Sequence, residues 1–144
     1  MSATAREVFE RFPWSASGGM PEETPWADDV VIETPFAPPG RPRRWEGREA
    51  FLAYAGPRRA ELPMRLERRN LVVHETADPE VIVVEYELGG RPPGAREDVW
   101  APFIGVLRVR DGQVAHWREY QDPLVMAAAT GTLPGLIASL GGGR

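Results

Sequence analysis

Residues 103–123, FIGVLRVRDGQVAHWREYQDP, decide how the rest of the chain is read. Asp111-Gly112 at the centre supplies the positive φ angles that a two-residue type I′ turn needs, so the stretch reads as two long strands folded back on each other. On the first strand Leu107 and Val109 point one way and Arg108 and Arg110 the other, which predicts one buried face. On the second strand the same period of two separates Ala115, Trp117, Glu119 and Gln121 from Val114, His116, Arg118 and Tyr120. A carboxylate, Glu119, thus shares a face with a large aromatic, Trp117. A carboxyl group on the inner face of a curved sheet is desolvated, and desolvation disfavours its charge, which suits general acid or base work. Glu119 is the leading candidate for chemistry.

Outward from the hairpin, Asp122-Pro123 reads as an N-cap followed by proline at the first helical position, opening a helix over Leu124 to Ala129. A second apolar segment, Leu133 to Leu140, runs into Gly141 to Gly143, a frayed tail. Upstream, a strand begins near Glu97, and Pro102 within it predicts a bulge or bend because proline cannot donate to the ladder. Gly89 to Ala95 makes a wide turn. Val81 to Leu88 reads as a central strand covered on both faces, and Met64 to Thr76 as a long strand bent around Arg68 to Asn70. Gly47 to Ala55 reads as a helix stopped by Gly56-Pro57, with Phe51, Leu52 and Ala55 inward. Ala37 to Trp45 is a loop. Val30 to Phe36 is a strand in which Val31 and Glu33 share one face and Val30, Ile32 and Thr34 the other. Pro21 to Asp29 is a short helix or turn carrying Trp26 inward. At the start, Thr4-Ala5-Arg6-Glu7 fits a capping box, with Val8, Phe9 and Phe12 on one helical stripe that ends near Trp14 to Gly19. Helices first, then a strand, a helix and a four-strand antiparallel meander give an α+β domain.

Length and composition set the bounds. A chain of 144 residues fits one domain and leaves no room for a separate cofactor domain. Hydrophobic residues make up 42% and charged residues 26%, an ordinary globular balance. The N-terminus lacks an apolar signal region and no apolar run reaches membrane-spanning length, so the expectation is a cytoplasmic protein with no membrane partner. Cysteine is absent, which excludes disulfides, thiolate catalysis and cysteine metal sites. All 17 basic residues are Arg, so Schiff-base chemistry on lysine is excluded as well. The arginines are dispersed and the net charge is −4, which argues against a nucleic-acid partner. His74 and His116 are the only histidines, on separate strands without metal-ligand spacing, and no metal is expected. No Walker loop, dinucleotide fingerprint or Gly-x-Ser-x-Gly elbow occurs, so the expected enzyme is free of cofactors.

The run from Gly105 through Arg118, Glu119, Tyr120 and Asp122 resembles the terminal hairpin of the SnoaL-like branch of the nuclear transport factor 2-like superfamily. That superfamily includes polyketide cyclases, limonene epoxide hydrolase, ketosteroid isomerase and the PhzA/PhzB phenazine proteins. The resemblance implies a single-domain cone: a strongly curved, mixed but mainly antiparallel sheet packed against N-terminal and crossing helices and enclosing a pocket. It also implies a homodimer paired through the face that carries His116, Arg118 and Tyr120. In the epoxide hydrolase a similar Trp-Arg-acid-Tyr run carries a catalytic aspartate at the position of Glu119. An Arg-x-Asp there bridges two catalytic acids, and Arg96 and Asp98 repeat that spacing. The tyrosine and asparagine that help hold the hydrolytic water fall at Val31 and Glu33, which counts against that reaction.

Glu33 is the alternative second acid, since two carboxylates facing one cavity push each other's titrations apart. Tyr54 could orient a ligand oxygen, and Trp26, Phe51, Trp100 and Trp117 could close an apolar pocket around a small hydrophobic molecule. The sequence reading is therefore a cofactor-independent acid–base enzyme of isomerase or cyclase type. A non-catalytic binding or scaffold protein, and an epoxide hydrolase, are the alternatives.

Overall fold

The computed structural model describes residues 3–11, 26–62 and 64–141. Within them a six-stranded sheet runs in the order β2-β1-β6-β5-β4-β3. The strands are β1 (Trp26–Glu33), β2 (Arg44–Glu46), β3 (Glu67–Glu75), β4 (Val81–Gly90), β5 (Val99–Arg110) and β6 (Gln113–Gln121). Four helices accompany them: α1 (Ala5–Glu10), α2 (Arg48–Ala60), α3 (Pro123–Thr130) and α4 (Leu133–Gly141). β3 to β6 form the expected antiparallel meander. β1 joins it parallel to β6, and β2 pairs antiparallel to β1, so the sheet is mixed, open-edged and curved.

Alternation along the strands sorts the sheet into two faces. The inner face carries Val30 and Ile32 of β1, Ile82, Val84 and Tyr86 of β4, Ala101, Phe103, Leu107 and Val109 of β5, and Val114 and Trp117 of β6, all buried. α1 lies against this face. Thr4 Oγ1 accepts from the Glu7 backbone N–H at 3.2 Å and the Glu7 carboxylate accepts from the Thr4 N–H at 2.9 Å. That reciprocal cap fixes the helix start so that Val8 and Phe9 drop into the core. Leu107 is fully buried, and truncating such a side chain to alanine costs about 2–5 kcal/mol.

The hairpin turn is as read: Asp111 and Gly112 have φ of 53° and 75°. The alternation on β6 is broken once, because a register shift between Arg108 and Val109 of β5 leaves Ala115 as an extra residue. Val114 consequently turns inward with Trp117 instead of outward with His116. Of the bulge or bend expected at Pro102, the bulge does not form, since Pro102 pairs with Glu87 in unbroken register. The bend in β3 does occur, between Arg69 and Val72, where Asn70 takes a φ of 55°.

Other boundaries move for identifiable reasons. β1 begins at Trp26, with exposed Asp28 and Asp29 inside a register shift between Trp26 and Val31, and ends at Glu33. α2 continues through Pro57 to Ala60: the 56–58 face is exposed, so the chain tolerates the missing N–H without unwinding. Gly89 and Gly90 belong to β4, not to the turn. An added Cβ on Gly89 would lie 2.7 Å from the Trp100 ring, and one on Gly90 2.4 Å from the Arg65 carbonyl oxygen. The Asp122 cap is confirmed, its carboxylate accepting from the Val125 N–H at 3.1 Å. The expected contribution of Phe12, and the reach of the first helix to Trp14–Gly19, fall outside the described residues.

Candidate functional site

β6 delivers Trp117, Glu119 and Gln121 to the inner face, and β4 delivers Tyr86. Around Trp117 the space is taken up by aromatic packing. Phe9 stacks on it at 6.4 Å between ring centroids, and Trp26 meets it edge-on at 6.0 Å. Phe51 of α2 in turn packs on Trp26 at 6.0 Å. Gly105 faces this cluster from β5, and a Cβ there would come within 3.1 Å of Val84 and 3.2 Å of Trp117. One turn of the pleat further along β6, the packing gives way to polar groups.

The Tyr86 hydroxyl donates to Glu119 Oε2, and the Gln121 side-chain amide donates to Glu119 Oε1 at 2.8 Å. Each oxygen of the half-buried carboxylate is therefore held by one neutral donor, and each keeps a further lone pair. Tyr86 reaches across β5 to do this, its ring stacked parallel on Phe103 at 5.5 Å. Burial pushes the Tyr86 phenol well above its ordinary value of 10.0, and the adjacent Glu119 pushes it further, so it is a fixed proton donor at neutral pH. Arg68 and Arg59 act on the same phenol in the opposite sense, which places two guanidinium groups within electrostatic reach. Arg68 faces Leu88 on the inner side of β3 and lies 5.7 Å over the Phe9 ring, and burial lowers its own proton affinity. The arrangement is a carboxylate bonded to a buried phenol that also feels the charge of two arginines.

The remaining sequence candidates lie elsewhere. Glu33 is on the opposite face of the sheet, where His116 Nε2 is 2.5 Å from its Oε1 and Arg44 is 3.8 Å from its Oε2. The bond to His116 holds the Glu33 carboxyl below its usual value. Glu33 and Glu119 cannot share a cavity because β1 runs parallel to β6 with Glu33 beside Arg118, the outward neighbour of Glu119. Asp98 sits in the β4–β5 turn, paired at 3.1 Å with Arg91 instead of bridging through exposed Arg96. Gly105 is the partner of Glu119, so Asp98 lies seven residues away along β5, about 23 Å of strand. Trp100 is also on the outer side, under the Arg69 guanidinium at 3.8 Å. Tyr54 packs on Trp45 at 4.9 Å and under Arg58 at 3.7 Å, away from the carboxylate. Trp26, Phe51 and Trp117 are core. An open groove among the described residues is lined by Thr4, Arg6, Glu75 and the β3–β4 turn and includes neither Glu119 nor Tyr86. No group of three or more metal-ligand side chains occurs among the described residues.

A SnoaL-like domain profile matches residues 23–117, well over half of the chain. The protein belongs to the SnoaL-like family. An uncharacterised PhzA/B-like protein of Pseudomonas aeruginosa is 34% identical over 117 residues, covering 74% of this chain and 77% of the relative. Among solved structures, a Bacillus subtilis protein provisionally called an isomerase superposes with a TM-score of 0.63 at 29% identity, over 75% of this chain and 77% of the other. A Silicibacter protein provisionally called a polyketide cyclase gives 0.66 at 16% identity over 90% and 97%, which is a likeness of fold. Further structural neighbours carry ketosteroid isomerase-like and NTF2-like descriptions. The SnoaL-like cone is thus this chain's architecture, as the hairpin implied.

Sequence reasoning missed Tyr86, Gln121 as a ligand of the carboxylate, and the two arginines. The signal for Tyr86 was present. Glu85 and Glu87 flank it on the outward phase of β4, which leaves Ile82, Val84, Tyr86 and Leu88 inward, and a phenol among aliphatic residues needs a polar partner. Arg59 and Arg68 stand next to Arg58 and Arg69, and nothing in those Arg-Arg pairs marks which member faces inward.

Proposed function

We propose that this SnoaL-like protein is a cofactor-independent enzyme that moves a proton on carbon in a small, largely apolar metabolite, in the manner of an isomerase or cyclase. The observation that carries the reading is the Glu119 carboxylate, held on the inner face by Tyr86 and Gln121 with a lone pair to spare on each oxygen. Glu119 takes the proton from a carbon next to a carbonyl. The C–H electron pair becomes the enolate, and Glu119 returns the proton at the same or another carbon, so nothing is oxidised or reduced. Tyr86 fixes the carboxylate's aim, and the aromatic wall of Trp117 and Phe9 supplies a dry floor. Epoxide hydrolysis through two acids has no support, because Asp98 and Glu33 are both remote from Glu119.

The test is deuterium exchange at the α-carbons of 4-methylcyclohexanone and 2-tetralone in D2O, followed by proton NMR. The wild type is expected to exceed the buffer rate, and Glu119→Gln to return to it with an unchanged circular dichroism spectrum. Equal rates for the two proteins refute acid–base catalysis by Glu119 and favour a binding or scaffold role.

The assembly we propose is a homodimer through the outer face. Ile104 and Val72 there are 44% and 47% exposed on either side of Glu85, and half-buried Val83 and Val106 form the next cross-strand pair. One cross-sheet row runs Arg44, Glu33, Arg118, Val106, Val83, His74, with Glu85 bonded to His74 at 2.6 Å. A second copy turned about an axis along the strands sets the Glu85 end of one row against the Arg118 end of the other.

A further inference from the structure

We infer that the outer face of the sheet is a self-complementary interface specified by a reciprocal ion pair, Arg118 of one copy with Glu85 of the other. The inference rests on the proposed homodimer and names the contact that selects its partner. Ion pairs sort the charges of this face. Arg44 is paired with Glu33 and Glu46, Arg69 with Glu87, Arg108 with Asp78 and Arg110 with Asp29. Arg118 is different. Its Nε is buried without a hydrogen-bond partner, and no carboxylate among the described residues pairs with it. Glu33, its neighbour on β1, is within electrostatic reach, but the two oxygens of that carboxylate are engaged by His116 and Arg44. The guanidinium is left 5.8 Å from the Tyr120 ring. A buried donor without an acceptor costs stability, and an acceptor brought by a second molecule recovers it.

The matching anion is Glu85. It is bonded at 2.6 Å to His74 and to no arginine, and its side chain is 51% exposed. Glu67, the other carboxylate of this face without an arginine, stands at the far corner opposite Gly89. Within one chain Glu85 and Arg118 do not meet. Glu85 pairs with Ile104 on β5 and Arg118 with Val106, so two strand intervals of about 4.8 Å and an offset of two residues put their Cα atoms about 12 Å apart. The outward side chains of Ile104 and Val106 stand between them. A two-fold axis lying in the contact and crossing β5 at Gly105 exchanges the two positions, and the two-residue offset inclines it to the strands. That one operation seats Ile104 and Val106 against their own counterparts at the axis and sets one Arg118–Glu85 pair on either side. The apolar centre keeps water from both pairs, which strengthens a charge-assisted contact.

The test is complementation of charge. An Arg118→Glu homodimer faces carboxylate with carboxylate at both pairs, and a Glu85→Arg homodimer faces guanidinium with guanidinium. A one-to-one mixture of the two variants restores opposite charges at both. Dissociation constants are read by sedimentation velocity over a range of concentrations, heterodimers by native mass spectrometry, and folding of each variant by circular dichroism. Expected is a wild-type dimer, a dissociation constant about a hundredfold higher for each variant alone, and a heterodimer of near wild-type affinity in the mixture. Arg118→Gln and Glu85→Gln remove charge without reversing it, and each raises the constant about tenfold. They decide the matter if a reversed charge beside Glu33 disturbs the fold. A dimer unweakened by the substitutions at 118 and 85 overturns the inference and leaves the outer-face dimer standing. A mixture that associates no more tightly than either folded variant alone overturns it as well. A wild type that is monomeric throughout removes the dimer and the pair together.

Discussion

Replacing Tyr86 by phenylalanine removes one oxygen and leaves the ring on Phe103, so the change isolates the hydrogen bond to Glu119. Tyr86 is 2% exposed, and no water replaces the lost donor without entering the core. The Glu119 carboxylate keeps the Gln121 amide at 2.8 Å but loses its other holder. A hydrogen bond to a charged group contributes about 1.5–3 kcal/mol, so the expected loss at pH 7 is about 2 kcal/mol. With a urea m-value of about 2 kcal/mol/M the unfolding midpoint falls by about 1 M. In a chain of 144 residues that corresponds to a melting temperature lower by about 6–8 °C. The same substitution in a Glu119→Gln background should cost about half as much, because the amide introduced there offers only a neutral acceptor. The assay is equilibrium urea denaturation of wild type, both single variants and the double variant. An unchanged midpoint for Tyr86→Phe, or an equal cost in the two backgrounds, would refute the view that this phenol holds an ionised carboxylate.

Gly105→Ala places a methyl 3.1 Å from Val84 and 3.2 Å from Trp117, so the aromatic cluster must shift, and a loss of about 1–3 kcal/mol is expected in the same assay. The raised Tyr86 phenol contributes stability that is fully present below pH 10 and is lost as pH rises beyond it, since the unfolded tyrosine ionises first. Urea midpoints measured from pH 8 to 11 should fall more steeply for wild type than for Tyr86→Phe. Glu33 works at the other end of the scale. Its lowered carboxyl contributes stability that is present above pH 4.5 and is lost as pH falls below it, so Glu33→Gln should flatten the acid limb of the stability curve. Ile104→Arg puts a charge on the outer face and should convert the proposed dimer to folded monomer by light scattering with little change in circular dichroism, and a wild type that is already monomeric would refute the dimer.

What could be read from the sequence was what depends on local chemistry. Asp111-Gly112, the Thr4–Glu7 box and the Asp122-Pro123 start each encode their own backbone geometry, and each appears where its residues stand. Period-two alternation placed Trp117, Glu119 and Gln121 together because no irregularity falls after residue 116, and it failed at Val114 because one extra residue, Ala115, reverses the phase. The misplacement of Glu33 has a different origin. Its phase along β1 was correct, but which phase faces inward depends on β1 joining parallel to β6, and a parallel partner as far along the chain as Arg118 leaves no local trace. Asp98 and Arg96 failed for the same reason in reverse: a short motif spacing says nothing about the length of β5 that separates it from the carboxylate. The site is a product of strand order, which explains why its leading residue was legible and its partners were not.

The alternation that separates the two faces also joins them. Arg118 and Glu119 are consecutive on β6, so their side chains leave one peptide plane in opposite directions. On the outer side the same strand carries His116 bonded to Glu33 and Tyr120 packed edge-on against Phe36 at 5.2 Å. These contacts hold β6 at two outward positions, 116 and 120, and the inward positions between them are Trp117 and Glu119. Orientation of the carboxylate toward Tyr86 therefore depends on how firmly the outer face is held. In the proposed dimer, a second copy on that face would restrain β6 along the length that presents Glu119, and a loss of its outer contacts would loosen the proposed base without touching it. Aim is what a carboxylate with only two neutral holders needs, because a misplacement of about 1 Å costs on the order of a hundredfold in rate.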